Sequence, residues 1–242
     1  MNKFISTINS RFLILCFILF SVVIQLNAQS NLSKKEISQG WQLLFNGTNF
    51  EGWRGVNQNS LPEKGWIIKD ESITCTGEKG GSIITTEKFG NFELVWEWKL
   101  MTPGANSGLK YLVVEREGDT GGYGYGIEYQ MLDDSNQETL KPNDYHSLGA
   151  AYELYVASAE TKAKKLGMWN SSKIVSNIGK VEHWLNGIKI LEYDRFNDDF
   201  KLKVAASKFK DVKNYGLHPE GHILLQDHNN EVNFRNIKIK RL

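Results

Sequence analysis

The most regular pattern in the chain is an alternation of apolar and polar residues with a period of two. Over residues 92–100, nearly every second position is apolar, and the charged residues Glu93, Glu97 and Lys99 lie between the apolar ones. Because side chains on a β-strand point alternately to its two faces, this period predicts a strand with one buried face. Residues 126–132 follow the same pattern and are predicted to form a second such strand.

A β-hairpin is predicted between two apolar runs, residues 181–185 and 188–193. The two residues that separate these runs are Asn186 and Gly187. Asn-Gly favours a type I′ turn, because both central residues of that turn need a positive φ angle.

The C-terminal strand changes phase along its length. Val232 and Phe234 are apolar in one phase, and Ile237 and Ile239 are apolar in the other. Because one extra residue in a strand shifts the alternation by one position, we predict a β-bulge near residues 235–236.

Two segments are predicted to be helical. A short helical turn is predicted over residues 33–39, and a longer helix is predicted to begin after Asn197 or Asp198 as its cap. The predicted apolar face of the longer helix comprises Phe200, Val204, Ala205, Phe209 and Val212.

Many alternating strands with few helices indicate an all-β protein, in which two antiparallel sheets pack face to face as a sandwich. The sequence contains no internal repeat, linker or low-complexity block. We therefore predict a single sandwich domain over residues 29–242.

Residues 1–28 have the layout of a secretory signal peptide. Lys3 and Arg11 precede an apolar run from Phe12 to Ile24, and the small residue Ala28 precedes the predicted cut. An apolar run of thirteen residues is too short to span a bilayer comfortably, so no membrane anchor is expected after cleavage. The prediction is a periplasmic or secreted protein.

Charge and cysteine content narrow the possible functions further. The chain has 29 Lys+Arg against 28 Asp+Glu, which gives no electrostatic reason to expect nucleic acid as a partner. Cleavage of the signal peptide would remove Cys16 and leave Cys75 without a partner for a disulfide. Cys75 is therefore predicted to be a small buried residue.

The sequence does not predict the oligomeric state.

The polar face of the strand over residues 126–132 carries the most informative candidates for chemistry. Glu128 and Gln130 lie two positions apart, roughly 6.5–7 Å from each other. An ordinary glycosidase needs two carboxyl groups, and here the second position is an amide. Asp133 and Asp134 are predicted to lie past the strand end, so ordinary glycosidase chemistry is disfavoured. The alternative is that Glu128 lies on a solvated sheet face.

The five histidines show no zinc-protease spacing. His146 follows an acidic, turn-rich stretch, and loops of this kind often hold functional groups at the mouth of a sandwich. Gln226, Asp227 and His228 follow a buried strand, where polar residues would emerge at its rim. A histidine taken alone is more often structural or solvated than catalytic.

Six motifs in this order resemble the 3-keto-disaccharide hydrolase domain family, over about residues 38–242. They are residues 40–47 with 52–53, residues 106–108, residues 126–130, residues 182–187, residues 225–228 and residues 234–237. The resemblance implies a concanavalin-A-like jelly roll and a carbohydrate substrate whose sugar is oxidised at C3. One departure is Asn229, where a glycine is expected.

A C3 ketone explains why one carboxylate would suffice. The ketone acidifies the C2 proton, so that a base can remove it and the C1 substituent can leave by elimination. Water then adds to the resulting 2-hydroxy-3-keto-glycal, and the net reaction is hydrolysis.

The resemblance implies positions for the site, and the roles are our hypothesis. Glu128 and His146 would act as base and acid. Asp227 would orient a histidine, and Lys110, Gln130 and His228 would hold the ketone and the hydroxyls. Further substrate-binding residues are His183 and Gln226. No cofactor is predicted; a divalent metal bridging carboxylate, histidine and enolate is conceivable, but no spacing of ligands predicts one.

Two other functions remain open. A carbohydrate-binding module on the same sandwich would bind sugar without turnover and would tolerate the loss of Glu128 and His146. An ordinary two-carboxylate glycosidase would cleave unoxidised glycosides.

Overall fold

A computed structural model describes residues 32–116, 123–133 and 144–242. The predicted signal peptide and Asp134 lie outside the described residues. The helices are α1 (Lys34–Ser38) and α2 (Asp198–Ala206). The strands are β1 (Trp41–Leu43), β2 (Trp53–Gly55), β3 (Trp66–Lys69), β4 (Ser72–Cys75), β5 (Ile83–Thr85), β6 (Phe92–Leu100), β7 (Asn106–Val114), β8 (Tyr125–Leu132), β9 (Asn170–Asn177), β10 (Lys180–Leu185), β11 (Ile188–Asp194), β12 (His222–Leu225) and β13 (Val232–Arg241).

The strands form two antiparallel sheets, as the sequence predicts. The larger sheet has the order β11-β10-β9-β6-β13-β4-β3, and β1 pairs with the C-terminal half of β13. The smaller sheet has the order β2-β5-β12-β7-β8. Strands distant in sequence lie side by side in both sheets, and the fold is a concanavalin-A-like jelly-roll sandwich.

The hydrophobic core lies between the two sheets. On β6, burial alternates at every position, and Trp96 and Trp98 point inward with almost no exposed surface. Trp96 packs edge-on against Tyr129 of β8, with ring centroids 5.0 Å apart. The period of two in the sequence therefore correctly predicts which face of β6 is buried.

Cys75 lies in this core, as predicted. Its side chain is completely buried on β4, between β3 and β13. Burial raises the pKa of the Cys75 thiol to about 12, so that the group remains a neutral thiol in the folded protein.

The predicted hairpin and bulge are both confirmed. Asn186 and Gly187 connect β10 to β11, and their φ angles of 49° and 85° are both positive, as a type I′ turn requires. The register of β13 against β6 shifts between Arg235 and Lys238, and Asn236 has a φ angle of 52°. Asparagine tolerates this left-handed conformation better than most residues do.

Both helices form, but the longer one ends earlier than its apolar periodicity predicts. Ser33 caps α1, and Asn197 caps α2 by accepting a hydrogen bond from the Phe200 N–H at 2.8 Å. Helix α2 ends at Ala206, so Phe209 and the residues after it belong to a turn-rich segment. No helix within the described ranges is long and apolar enough to cross a membrane.

Three polar side chains form a cluster between the sheets, which we call the interior polar cluster: Tyr111 of β7, His183 of β10 and Tyr193 of β11. His183 has no exposed surface, and its Nε2 lies 2.9 Å from the Tyr111 hydroxyl. The hydroxyls of Tyr111 and Tyr193 are hydrogen-bonded to each other. The His183 Nδ1 lies 2.9 Å from the carbonyl oxygen of Gly149. The cluster thus joins the two sheets through hydrogen bonds.

This cluster makes the stability of the fold depend on pH. Burial lowers the pKa of His183 to about 4 from an ordinary value near 6.5. Between these two values the unfolded chain binds the proton and the folded protein does not. The free energy of unfolding therefore falls as the pH falls through this window, by about 3 kcal/mol from this group.

We expect His183→Asn to remove that contribution. The difference in free energy of unfolding between wild type and variant is then largest near pH 7.5 and shrinks by about 3 kcal/mol towards pH 4. Urea unfolding at pH 7.5, 5.5 and 4.5, followed by circular dichroism, measures it. A difference that stays constant with pH would contradict the lowered pKa.

Candidate active site

A cavity of about 420 Å³ opens on the outer face of the smaller sheet. Its floor consists of polar side chains from β7, β8 and the residues after β12, and its walls are aromatic and apolar. The described lining residues are Asn106, Lys110, Tyr123, Gly124, Tyr125, Gly126, Glu128, Gln130, Tyr152, Lys208, Phe209, Val212, Gln226 and His228.

The alternation of side chains on β8 builds the floor. Tyr129 and Met131 point into the core, and Glu128 and Gln130 therefore point to the opposite face. On β7, Asn106 and Lys110 point to the same face, and Lys110 is paired in register with Glu128. Two neighbouring strands thus place their polar side chains together.

Glu128 is the most buried charged residue of the floor, with 6% of its surface exposed. Its Oε2 lies 3.7 Å from the Lys110 Nζ and 3.5 Å from the Gln226 Nε2. The carboxylate lies directly over Gly108, where a Cβ atom would come within 2.5 Å of the Glu128 Oε1. The absence of a side chain at position 108 therefore leaves the space that this carboxylate occupies.

Burial raises the pKa of the Glu128 carboxyl above its usual range. The positive charges of Lys110 and Lys208 and the nearby His228 act in the opposite direction and offset only part of the rise. A carboxyl group with a raised pKa is a stronger base once ionised than an exposed carboxylate, which suits it to proton transfer.

In the part of the chain that the structure describes, the side-chain amide oxygens of two floor residues lack a hydrogen-bond partner. Gln130 donates a hydrogen bond from its Nε2 to the Asn106 Oδ1 at 3.1 Å. Within the described residues, the buried Oε1 atoms of Gln130 and Gln226 have no hydrogen-bond partner. Unpaired buried acceptors are costly, and a rotation of either side chain would bring its amide oxygen to the cavity, where a sugar hydroxyl could donate to it.

One wall of the cavity comes from two loops. Tyr152 lies on the first, and Lys208 and Phe209 lie just after α2 on the second. The Lys208 Nζ lies 4.1 Å from the centre of the Tyr152 ring, and Phe209 stacks on Tyr215 with ring centroids 4.1 Å apart. These contacts hold the aromatic wall together.

Five of the eight predicted site residues line the cavity: Lys110, Glu128, Gln130, Gln226 and His228. The other three do not. The sequence predicts acid catalysis for His146, substrate binding for His183 and the orientation of a histidine for Asp227, and the side chains of all three lie outside the cavity lining.

His146 lies behind the wall. Its Nδ1 is 2.8 Å from the Asp144 Oδ1, and its Nε2 is 3.1 Å from the Glu153 Oε1. Its ring packs against Tyr152, with centroids 4.8 Å apart. Both ring nitrogens are therefore engaged by carboxylates, and His146 supports the wall instead of facing the cavity.

Asp227 does not line the cavity, although Gln226 and His228 on either side of it do. Its carboxylate accepts hydrogen bonds from the backbone N–H groups of Gly81 at 3.2 Å and Asn229 at 3.0 Å. The structure thus shows it holding the backbone next to His228, not the ring of a histidine.

His183 belongs to the interior polar cluster and does not reach the cavity. The sequence carries a signal of this, because Val181 and Leu185 share the phase of His183 on β10 and all three are buried. Tyr152 and Lys208 also line the cavity, although the sequence does not predict them as site residues. Both lie in loops without a periodic pattern, so no sequence signal marks them.

The described residues contain no group of three or more His, Cys, Asp or Glu side chains placed to hold a metal ion. The prediction about metal therefore stays a prediction.

Comparisons with known proteins show what the chain is similar to. A family model of the 3-keto-alpha-glucoside-1,2-lyase-like domain matches residues 40–240. A relative from Bacteroides thetaiotaomicron, named 3-keto-disaccharide hydrolase, is 34% identical in an alignment 232 residues long that covers 85% of this chain and 79% of the relative.

Two solved structures from Parabacteroides distasonis are also similar, and both are named provisionally as glycosyl hydrolases. One is 36% identical with a TM-score of 0.77 and covers 88% of this chain and 99% of its own. The other is 28% identical with a TM-score of 0.64 and covers 84% and 99%.

The contact between Lys110 and Glu128 can be tested directly. Lys110→Met removes the nearest cation from the carboxylate, so we expect the pKa of Glu128 to rise further above its usual range. Titration of ¹³C-labelled glutamate carboxyl groups by NMR, with the signal assigned by Glu128→Gln, measures this pKa. The control is Lys173→Met, because Lys173 is paired with Glu93 on the larger sheet. This variant should leave the pKa of Glu128 unchanged. An unchanged or lower pKa in Lys110→Met would refute the contact.

Proposed function

Because the chain belongs to the family of 3-keto-alpha-glucoside-1,2-lyase-like domains, we propose that it is a glycoside-cleaving enzyme that acts on sugars oxidised at C3. The proposed reaction is elimination followed by hydration, with net hydrolysis. The names of the relative from Bacteroides thetaiotaomicron and of the two solved structures support a hydrolase of glycosides.

The observation that carries the proposal is the single carboxylate of the cavity. Among the described lining residues, Glu128 is the only acidic one. An ordinary glycosidase needs a second carboxyl group on the other side of the scissile bond. Elimination next to a ketone needs one base, one proton donor and positive charge near the ketone oxygen, and the floor offers these groups.

In the first step, Glu128 removes the proton from C2 of the 3-keto sugar. The electron pair of the C2–H bond delocalises onto the C3 oxygen and forms an enolate. The Lys110 ammonium, 3.7 Å from the Glu128 carboxylate, would stabilise that negative charge. Because the pKa of Glu128 is raised by burial, the carboxylate is a better match to a weakly acidic C–H proton.

In the second step, the enolate re-forms the ketone, a double bond forms between C1 and C2, and the C1–oxygen bond breaks. The leaving oxygen takes a proton, for which we propose His228 as the donor, since His228 lines the cavity and His146 does not. Water then adds across C1 and C2, with its hydroxyl at C1 and a proton returning to C2. The sum is hydrolysis of the glycoside.

The remaining groups would orient the sugar. The side-chain amides of Gln130 and Gln226, which line the cavity, would hydrogen-bond to hydroxyls. Tyr152 and Phe209 would pack against an apolar face of the substrate, as aromatic side chains do with sugar rings. We also propose that the enzyme works outside the cytoplasm, on the basis of residues 1–28.

The test uses p-nitrophenyl glucoside and its 3-keto derivative, each as α and β anomer, with wild type and Glu128→Gln. We expect release of p-nitrophenol from the ketone alone, above its spontaneous breakdown. Glu128→Gln should lower kcat by about 10²–10⁴-fold, because the amide cannot accept the C2 proton. The matched control is Glu182→Gln, since Glu182 lies on the larger sheet and accepts a hydrogen bond from Trp184.

Each other outcome favours a different function. Cleavage of the unoxidised glucoside would indicate an ordinary glycosidase. Binding of sugar without turnover of any of the four compounds would indicate a carbohydrate-binding module. Full activity of Glu128→Gln on the ketone would remove Glu128 from the role of base.

Gly108→Ala tests whether the space below Glu128 matters for catalysis. The added methyl group would lie within 2.5 Å of the Glu128 Oε1, so the carboxylate must move. A displacement of about 1 Å can cost about 100-fold in rate, and we expect kcat to fall by about 10- to 100-fold. Gly55→Ala on β2 is the control, because its methyl group would meet only the flexible end of Gln58, at 2.7 Å. Equal activity in the two variants would contradict the prediction.

A further inference from the structure

The interior polar cluster has a defined direction of hydrogen bonding. A carbonyl oxygen only accepts, so the contact with Gly149 places the ring proton of His183 on Nδ1. The neutral ring then has a lone pair on Nε2, which accepts the hydrogen bond of the Tyr111 hydroxyl. The Tyr111 oxygen in turn accepts from the Tyr193 hydroxyl. The hydrogen bonds therefore run in one direction, from Tyr193 through Tyr111 to His183. The last of them is the bond that His183 donates to the carbonyl oxygen of Gly149.

Gly149 begins a segment that runs along the edge of the smaller sheet. We call residues 149–152 the edge segment. Its backbone pairs with β8: the Gly149 N–H donates to the Gln130 oxygen at 2.9 Å, and the Tyr152 N–H donates to the Glu128 oxygen at 3.1 Å. The Gln130 N–H donates back to Ala150 at 3.1 Å. The edge segment thus holds the backbone of the two residues whose side chains form the cavity floor.

The edge segment is also held from the side of the larger sheet. Gly149 has a φ angle of 76°, and a Cβ atom there would collide with Ile190 of β11. The His183 ring packs against the Tyr129 ring, with centroids 4.8 Å apart, and Tyr129 lies between Glu128 and Gln130 on β8. His183 therefore contacts β8 from inside the core and holds the edge segment beside it.

We propose that His183 is a positioning residue: through its bond to Gly149, it fixes the edge segment and thereby the backbone that carries Glu128 and Gln130. The edge segment also carries Tyr152 into the cavity wall, so one buried imidazole would align floor and wall together. The kinetic part of this inference rests on the proposed function, and its structural part does not.

Three variants separate hydrogen bonding from packing. His183→Phe fills the space of the ring but cannot donate to Gly149. His183→Asn can rescue this bond, because its side-chain amide nitrogen occupies about the position of the histidine Nδ1. His222→Phe is the matched control: His222 is also buried, and its Nδ1 lies 2.7 Å from the Thr85 oxygen, but it begins β12, which does not pair with β8, and it does not line the cavity.

The first readout is hydrogen exchange, which needs no substrate. In His183→Phe we expect the amides of Gly149 and Tyr152 to exchange at least tenfold faster, while amides of β6 stay protected. His183→Asn should keep both amides protected. Unchanged exchange in His183→Phe, or the same acceleration in His222→Phe, would overturn the proposal, since the first shows no anchoring and the second shows only general destabilisation.

The second readout is the division between kcat and KM on the 3-keto substrate. We expect His183→Phe to lower kcat by about 10- to 100-fold with KM changed less than threefold, because a misaligned base slows the chemical step. His183→Asn should recover most of kcat, and His222→Phe should retain it. Faster exchange without a loss of kcat would overturn the positioning role. If the wild type turned over no substrate, the proposed function would fail. The hydrogen-exchange data alone would then test whether His183 anchors the edge segment.

Discussion

The burial of one carboxyl group, that of Glu128, is the constraint on which the smaller sheet depends. A charged group is costly to remove from water unless its surroundings compensate. Here the compensation comes from neighbouring positions of the same sheet: Lys110 supplies charge, Gln226 supplies a donor, and Gly108 supplies space. Each of these residues also lines or underlies the cavity. The same neighbours therefore offset the cost of burying the carboxyl group and set its reactivity.

The two sides of the sandwich are coupled through β8. Its outward residues form the floor of the cavity, and its inward residue Tyr129 packs against both Trp96 and His183 of the larger sheet. The backbone between them is shared, so the strand cannot shift in the core without moving the floor. Protein interiors are densely packed and resist small displacements, which gives the cavity a rigid base. The wall, in contrast, consists of loops.

The sequence predicts those features that depend on local periodicity or turn chemistry. The turn at Asn186 follows from dihedral preference alone, and the outward direction of Glu128 follows from a period of two. The end of α2 could not be predicted, because Phe209 continues a helical pattern but lies in the turn-rich segment after the helix, where its ring stacks on Tyr215. Tyr152 reaches the site through the pairing of its loop with β8, a long-range contact that no local pattern encodes.

The completely buried thiol of Cys75 has a consequence for how opening of this sandwich can be followed. A cysteine reacts as its thiolate, and a pKa raised to about 12 leaves almost none of it ionised near neutrality. Its side chain is completely buried in the core between the sheets, so a reagent reaches the sulfur only when the packing around it opens. In a chain without Cys16, the rate of alkylation would then report how often this part of the core opens, with no added label.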